Sequence, residues 1–118
     1  MNFDITPYRH DLQIIRDTAD QVIRDFGLYG LEITFSGNEM LAYDELHSQL
    51  VPALKQLEKS GQGKIRSILY RIDIPEKEFA QMAVNQTKDG FWDGLASLIL
   101  RRELIKVITR KLFSSSNG

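Results

Sequence analysis

The residues of this chain that could do chemistry are few, and none stands in a spacing that assigns a reaction. Imidazole is the usual proton shuttle near neutral pH, and there are two histidines. His10 stands beside Asp11, and His47 follows Asp44 and Glu45. Asp44 and His47, three apart, could share a helix face. A metal site would need two histidines one turn apart, or a histidine with matched carboxylates, so no metal is expected. The simpler reading makes both histidines surface residues near helix starts.

Asp89-Gly90-Phe91-Trp92-Asp93-Gly94 is the densest constellation, with the only tryptophan and two carboxylates between glycines. As a binding loop it would offer Trp92 as a stacking platform and Asp89 and Asp93 as acceptors for a hydroxyl or a cation. Read structurally, Asp89 caps the last helix, Asp93 favours its positive end, and Phe91 or Trp92 anchors its entry into the core. The structural reading needs less. The spaced oxygen ligands and closing glutamate of a calcium loop are absent.

Gly61-Gln62-Gly63-Lys64 sets a glycine pair before a lysine. A phosphate-cradling loop needs wider glycine spacing and a Lys-Ser or Lys-Thr pair opening a helix, whereas this lysine is read as opening a strand. Arg102, Lys106 and Arg110 recur every four residues and form a basic stripe, with Arg101 and Lys111 nearby. Such a stripe could contact phosphates, yet the sequence pI is about 6.1 and Phe113 is the one adjacent aromatic. A solvated face, or pairing with acidic residues of the first helix, is the simpler reading.

The elements that must position these groups follow from periodicity. Thr6-Pro7 suits a helix start, and Leu12, Ile15, Ala19, Val22, Ile23 and Phe26 keep helical spacing up to Gly27, placed to end the helix in a left-handed conformation. Its outer face would carry Arg9, Asp17, Asp20, Arg24 and Asp25. Leu31, Ile33 and Phe35 alternate with Glu32, Thr34 and Ser36, the pattern of a strand with one buried face. A second helix is expected over 40–59, with Leu46, Leu50, Leu54 and Leu57 in register and Pro52 kinking or splitting it. The run 64–74 reads as a second strand, with Ile68, Tyr70, Ile72 and Ile74 on one face and Ile65 and Leu69 on a partly covered one. Pro75 opens a third helix with Glu76 and Glu78 in its first turn, burying Phe79, Met82 and Ala83.

The last helix, over 91–113, has a split apolar face. At roughly 100° per residue, Leu95, Ala96, Leu98, Ile99 and Leu100 point one way, while Leu104, Ile105, Val107, Ile108 and Leu112 point nearly opposite. Either the helix bends near Arg101-Arg102-Glu103, or one end lies on something other than its own domain, such as a second subunit.

The expected fold is therefore α+β: a single domain over 1–113 in the order helix, strand, helix, strand, helix, helix, with a disordered tail over 114–118. Its two- or three-stranded sheet is covered by helices. Two strands make a marginal sheet, so residues 3–6 or a symmetry mate would extend it. With 42% hydrophobic and 26% charged residues the chain should fold, and 118 residues suit one domain. Net charge is −1, but residues 1–60 carry five Lys or Arg against ten Asp or Glu, and 61–118 carry ten against six. An acidic first helix beside a basic last one would absorb that asymmetry.

The chain has no cysteine, which excludes disulfides, thiol nucleophiles and thiolate metal sites. The start resembles no signal peptide, and a cytoplasmic location without membrane insertion is expected. No cofactor is implied. The leading reading is a non-catalytic protein–protein interaction module, homodimeric through the last helix or a sheet edge, with Leu104, Ile108 and Leu112 at the contact. The alternatives are a small enzyme or ligand-binding domain at Asp89, Trp92 and Asp93, joined by His10 or His47 through folding, and a weak nucleic-acid binder through Arg102, Lys106 and Arg110. Nucleic acid is the least favoured partner.

Overall fold

The computed structural model describes residues 4–61, 63–85 and 90–117, the last three by their backbone alone. Among the described residues there is no strand. The elements are α1 (Leu12–Gly27), α2 (Ala42–Ser60), α3 (Lys64–Ile72), α4 (Glu76–Asn85) and α5 (Phe91–Asn117), with short 3₁₀ turns at Thr6–Tyr8 and Glu39–Leu41. The α+β expectation is thus corrected to an all-helical fold, and each expected strand has a physical explanation.

In the segment 31–36 the alternation is real. Leu31 and Ile33 are buried and Phe35 is partly so, while Glu32, Thr34 and Ser36 are exposed. What is missing is a neighbouring strand. Side chains of α2 take its place: Gln49 accepts from the Thr34 N–H at 2.8 Å and donates to the Thr34 carbonyl at 2.8 Å. One turn earlier, Glu45 accepts from the Ser36 N–H and hydroxyl, each at 2.9 Å. An extended segment whose polar backbone is met this way needs no sheet.

The run 64–74 fits two periods, and the helical one wins. Ile68 and Ile72 are fully buried, Ile65 and Leu69 pack against the same core, and Tyr70 is 86% exposed. Residues 65, 68, 69 and 72 form an ordinary helical stripe. Lys64 therefore opens a helix rather than a strand, although Ile65 follows it where a phosphate loop would have Ser or Thr. Asp73 closes α3 at φ 72°, with its N–H bonded to the Tyr70 carbonyl and the Ile74 N–H to the Leu69 carbonyl, both at 3.0 Å. This is a Schellman end, and Pro75 follows where a helix cannot continue.

The first helix also shifts. Thr6 and Pro7 form a 3₁₀ turn, and α1 starts later, where Asp11 caps it by accepting from the Ile14 N–H at 3.1 Å. The left-handed residue after it is Gly30, at φ 77°, rather than Gly27. The buried face of α1 holds Ile14, Thr18, Ala19, Val22, Asp25 and Phe26. Asp25 is therefore inside, not on the solvated face. Helix α2 is one continuous helix through Pro52, so the expected split into two short helices does not occur.

One large core joins α1, α2, α3, the 31–36 segment and the first half of α5, including Leu95, Ala96, Ile99 and Leu100. A second, smaller cluster joins Ile14 of α1 to Val107 and Ile108 of α5, with Ile5, Tyr8 and Leu104 packed around it. The two apolar faces of α5 are thus met largely within the chain, by different elements. Among the described residues no helix is long and apolar enough to cross a membrane.

Candidate functional site

Between the two apolar clusters α5 presents a carboxyl group to the interior. Glu103 is 0% exposed, and Asp25 of α1, at 2%, lies beside it. Buried acids are costly unless paired, so two together mark a place where the sequence accepts a cost. Asp25 is well supplied: Arg71 of α3 donates from Nε to its Oδ1 at 3.2 Å, and Gln21, one turn earlier on α1, donates from Nε2 to its Oδ2 at 3.2 Å. Gln21 is itself oriented by cations, since its Oε1 accepts from Arg110 at 2.8 Å and from Arg24 at 3.2 Å.

Glu103 has no such supply. Neither of its oxygens has a hydrogen-bond donor within reach, and the nearest cation, Lys106 Nζ, stands 3.7 Å from Oε1. Two ionised carboxylates can only accept, so the pair bonds when Glu103 holds a proton and donates it toward Asp25. Burial, then the hydrogen bond and charge of Asp25, push the Glu103 carboxyl up to about 9, against a smaller opposing pull from Lys106. For Asp25 burial pushes upward, but the bonds from Glu103, Gln21 and Arg71 and the charge of Lys106 outweigh it and hold the group below its ordinary value. One carboxyl is neutral and the other ionised at neutral pH.

Above this pair lies an open cleft of about 850 Å³ between α1, α3 and α5. Gln21, Asp25 and Tyr29 line it from the α1 side, with Asp25 the deeply buried member, and Arg66, Ser67, Tyr70 and Arg71 of α3 and Lys106 of α5 line the rest. Arg66 has no ion-pair partner among the described residues. Gly63, at the uncapped N-terminus of α3, also borders the cleft, adding the positive end of a helix dipole. A second depression of about 540 Å³ shares Gln21 and Lys106 and continues along α5 past Arg102, Arg110 and Phe113. Three cations stand over a single ionised carboxylate in the first cleft, so it suits an anion.

The residues singled out from sequence fall elsewhere or take other parts. Asp89 lies outside the described residues. Trp92 is half-buried against the main core, edge-on to Phe91 at 5.1 Å, and Phe91 is edge-on to Phe79 of α4 at 6.1 Å. That cluster pins α4 to the start of α5. Asp93 is exposed, and folding does bring His47 to it, but His47 Nε2 lies 3.1 Å from the Asp93 backbone oxygen rather than its carboxylate. His47 also stacks on Tyr43, whose hydroxyl is 2.9 Å from Ser97 Oγ. His10 is exposed. Among the described residues no three His, Asp or Glu side chains are grouped so as to hold a metal ion.

Of the contact residues, Ile108 is fully buried, Leu104 is partly buried in the same small cluster, and Leu112 is 48% exposed. The basic stripe is engaged inside the chain: Arg102 reaches Asp73 at 3.4 Å, Lys106 faces Glu103, and Arg110 donates to Gln21. Lys111 adds a 3.6 Å pair with Asp11, so basic α5 does lie along acidic α1. Sequence reasoning missed Asp25, Glu103 and Arg71. The available signal was Asp25 one turn from Val22 and next to Phe26, at the edge of the apolar stripe.

Comparison with known proteins adds no relative: no family model, curated protein or solved structure matches the chain.

Proposed function

We propose that this chain is a binding module that captures a small anionic group, a carboxylate or phosphate, in the cleft between α1, α3 and α5. The observation that carries the reading is the convergence of Arg66, Arg71 and Lys106 on a cleft lined by one ionised carboxylate, Asp25. Buried acids with opposed proton affinities beneath a cleft are a recurring mark of functional sites, because a purely structural role is met more cheaply by apolar packing. Calorimetric titration with sulfate tests the reading. Binding should weaken with added sodium chloride and drop roughly tenfold in Arg66→Ala, the loss of one charge-assisted contact. Absence of sulfate binding at low salt would remove the proposal.

A second reading, self-association, is favoured by the far end of α5, where Leu112 is 48% and Phe113 66% exposed. The contact would then lie at Leu112 and Phe113, since Ile108 is covered within the chain. Light scattering after size exclusion, at low and high salt, decides it: a dimer at both supports an apolar contact, and a monomer at both ends this reading.

A further inference from the structure

We infer that the proton held on Glu103 is what leaves Lys106 available to the cleft, so that anion capture there is coupled to the protonation of Glu103. The inference rests on the binding reading above and names its regulation. Lys106 Nζ sits between two demands. It lines both depressions with its side chain 29% exposed, and it stands 3.7 Å from Glu103 Oε1, beyond hydrogen-bond length.

While Glu103 is neutral, the ammonium forms no salt bridge to an ionised carboxylate among the described residues; Asp25, bonded to Arg71 Nε and Gln21 Nε2, acts on it only through its charge. Its donors can then serve a ligand. If Glu103 ionises, a fully buried carboxylate must find a cation, and Lys106, one turn along the same helix, is the nearest. Closing that pair withdraws the ammonium and sets a second negative charge beneath the cleft.

The other charged groups around Glu103 do not offer a substitute. From α1 it is faced by Asp25, which repels a second charge; from α3, Arg71 is bonded to Asp25; on α5 itself, Arg102 is directed to Asp73. Tyr29 and Tyr70 are the remaining titratable groups of the cleft, together with Arg66. Linkage makes the effect reciprocal: an anion that holds Lys106 favours the protonated pair, so binding at alkaline pH takes up protons.

The test is sulfate titration of the whole chain at constant ionic strength, at about pH 7 and about pH 9.5, where most tyrosine and lysine side chains ordinarily keep their protons and Glu103→Gln reports the part that does not come from Glu103. Sulfate keeps its charge across this range. The wild-type affinity should fall roughly three- to fourfold, because about three-quarters of a carboxyl with a pKa near 9 is ionised at pH 9.5, while Glu103→Gln should stay within about 1.5-fold. Repeating the pH 9.5 titration in buffers of different ionisation enthalpy should show net proton uptake by the wild type, a readout that needs no variant. An equal fall in Glu103→Gln, or no proton uptake, overturns the inference and leaves the binding reading standing. No sulfate binding at pH 7 overturns both.

Discussion

Where α5 begins, half-buried Phe91 and Trp92 fill an apolar corner beside Phe79; three turns later Glu103 fills a fully buried, drier position with a carboxyl group. Both places hold one helix to its neighbours. The aromatic corner does so with rings whose apolar faces gain by leaving water, so packing accounts for them. The Glu103 site holds α5 to α1 with groups that must share a proton and borrow cations from α3 and from α5 itself. A dense aromatic motif is thus the natural mark of an anchor, and an acid in a dry place the mark of a site under a different demand.

Breaking the polar site should cost the most. Asp25→Ala removes the acceptor of Glu103, Arg71 and Gln21 together, and a loss of about 3 kcal/mol is expected in urea unfolding, as for other buried pairs deprived of one partner. Trp92→Ala, at a half-buried position, should lose about 2 kcal/mol by the same measurement and leave sulfate affinity within about twofold. If Trp92→Ala abolished binding while Arg66→Ala did not, the assignments of the two regions would have to be exchanged.

The next effect separates the regions by pH. Folding raises the Glu103 pKa from 4.5 to about 9, so between those values the folded state holds a proton that the unfolded state has released. The folding benefit of protonated Glu103 is complete below 4.5 and declines as pH rises toward 9, with a slope of up to about 1.4 kcal/mol per pH unit. Asp25 runs the other way: its lowered pKa adds stability above the ordinary carboxylate range, lost as pH falls through the folded value. Glu103→Gln should therefore gain on the wild type as pH rises from about 5 to about 8 in chemical denaturation. A difference independent of pH would show that Glu103 is ionised in the folded chain.

The smallest effect is expected where α3 ends. Asp73 holds a left-handed conformation that glycine adopts without strain, and its 3.4 Å pair with Arg102 is at an exposed carboxylate. Asp73→Gly should be neutral or stabilising by a few tenths of a kcal/mol in thermal unfolding, because a surface pair contributes little.

Much of the helical framework was legible. The registers of α2 and α4 and the split face of α5 follow from spacing, and the structure meets that split with two separate apolar clusters. The strands were misread for different reasons. Residues 31–36 do alternate in burial, but alternation reports which side chains are inside and not what the backbone bonds to; Gln49 and Glu45 supply those bonds from a helix. In 64–74 isoleucines four apart satisfy periods of both 2 and 4, and only the burial of Ile65 and Leu69 with Ile68 and Ile72 separates the two. The Asp25–Glu103 pair was hidden because a charged residue at the edge of a stripe is read as exposed. Its partners come from three helices, and no local spacing records that meeting.

The most direct measurement is a site-specific NMR titration of the Glu103 side-chain carboxyl carbon in the folded chain, from about pH 4 to about pH 10, with Glu103→Gln used for assignment. A midpoint near 9 is the expected result and would establish a neutral carboxyl beneath the cationic cleft. A midpoint near the ordinary 4.5 would contradict it, leaving Lys106 committed to an ionised Glu103 and the cleft without its coupling to a proton.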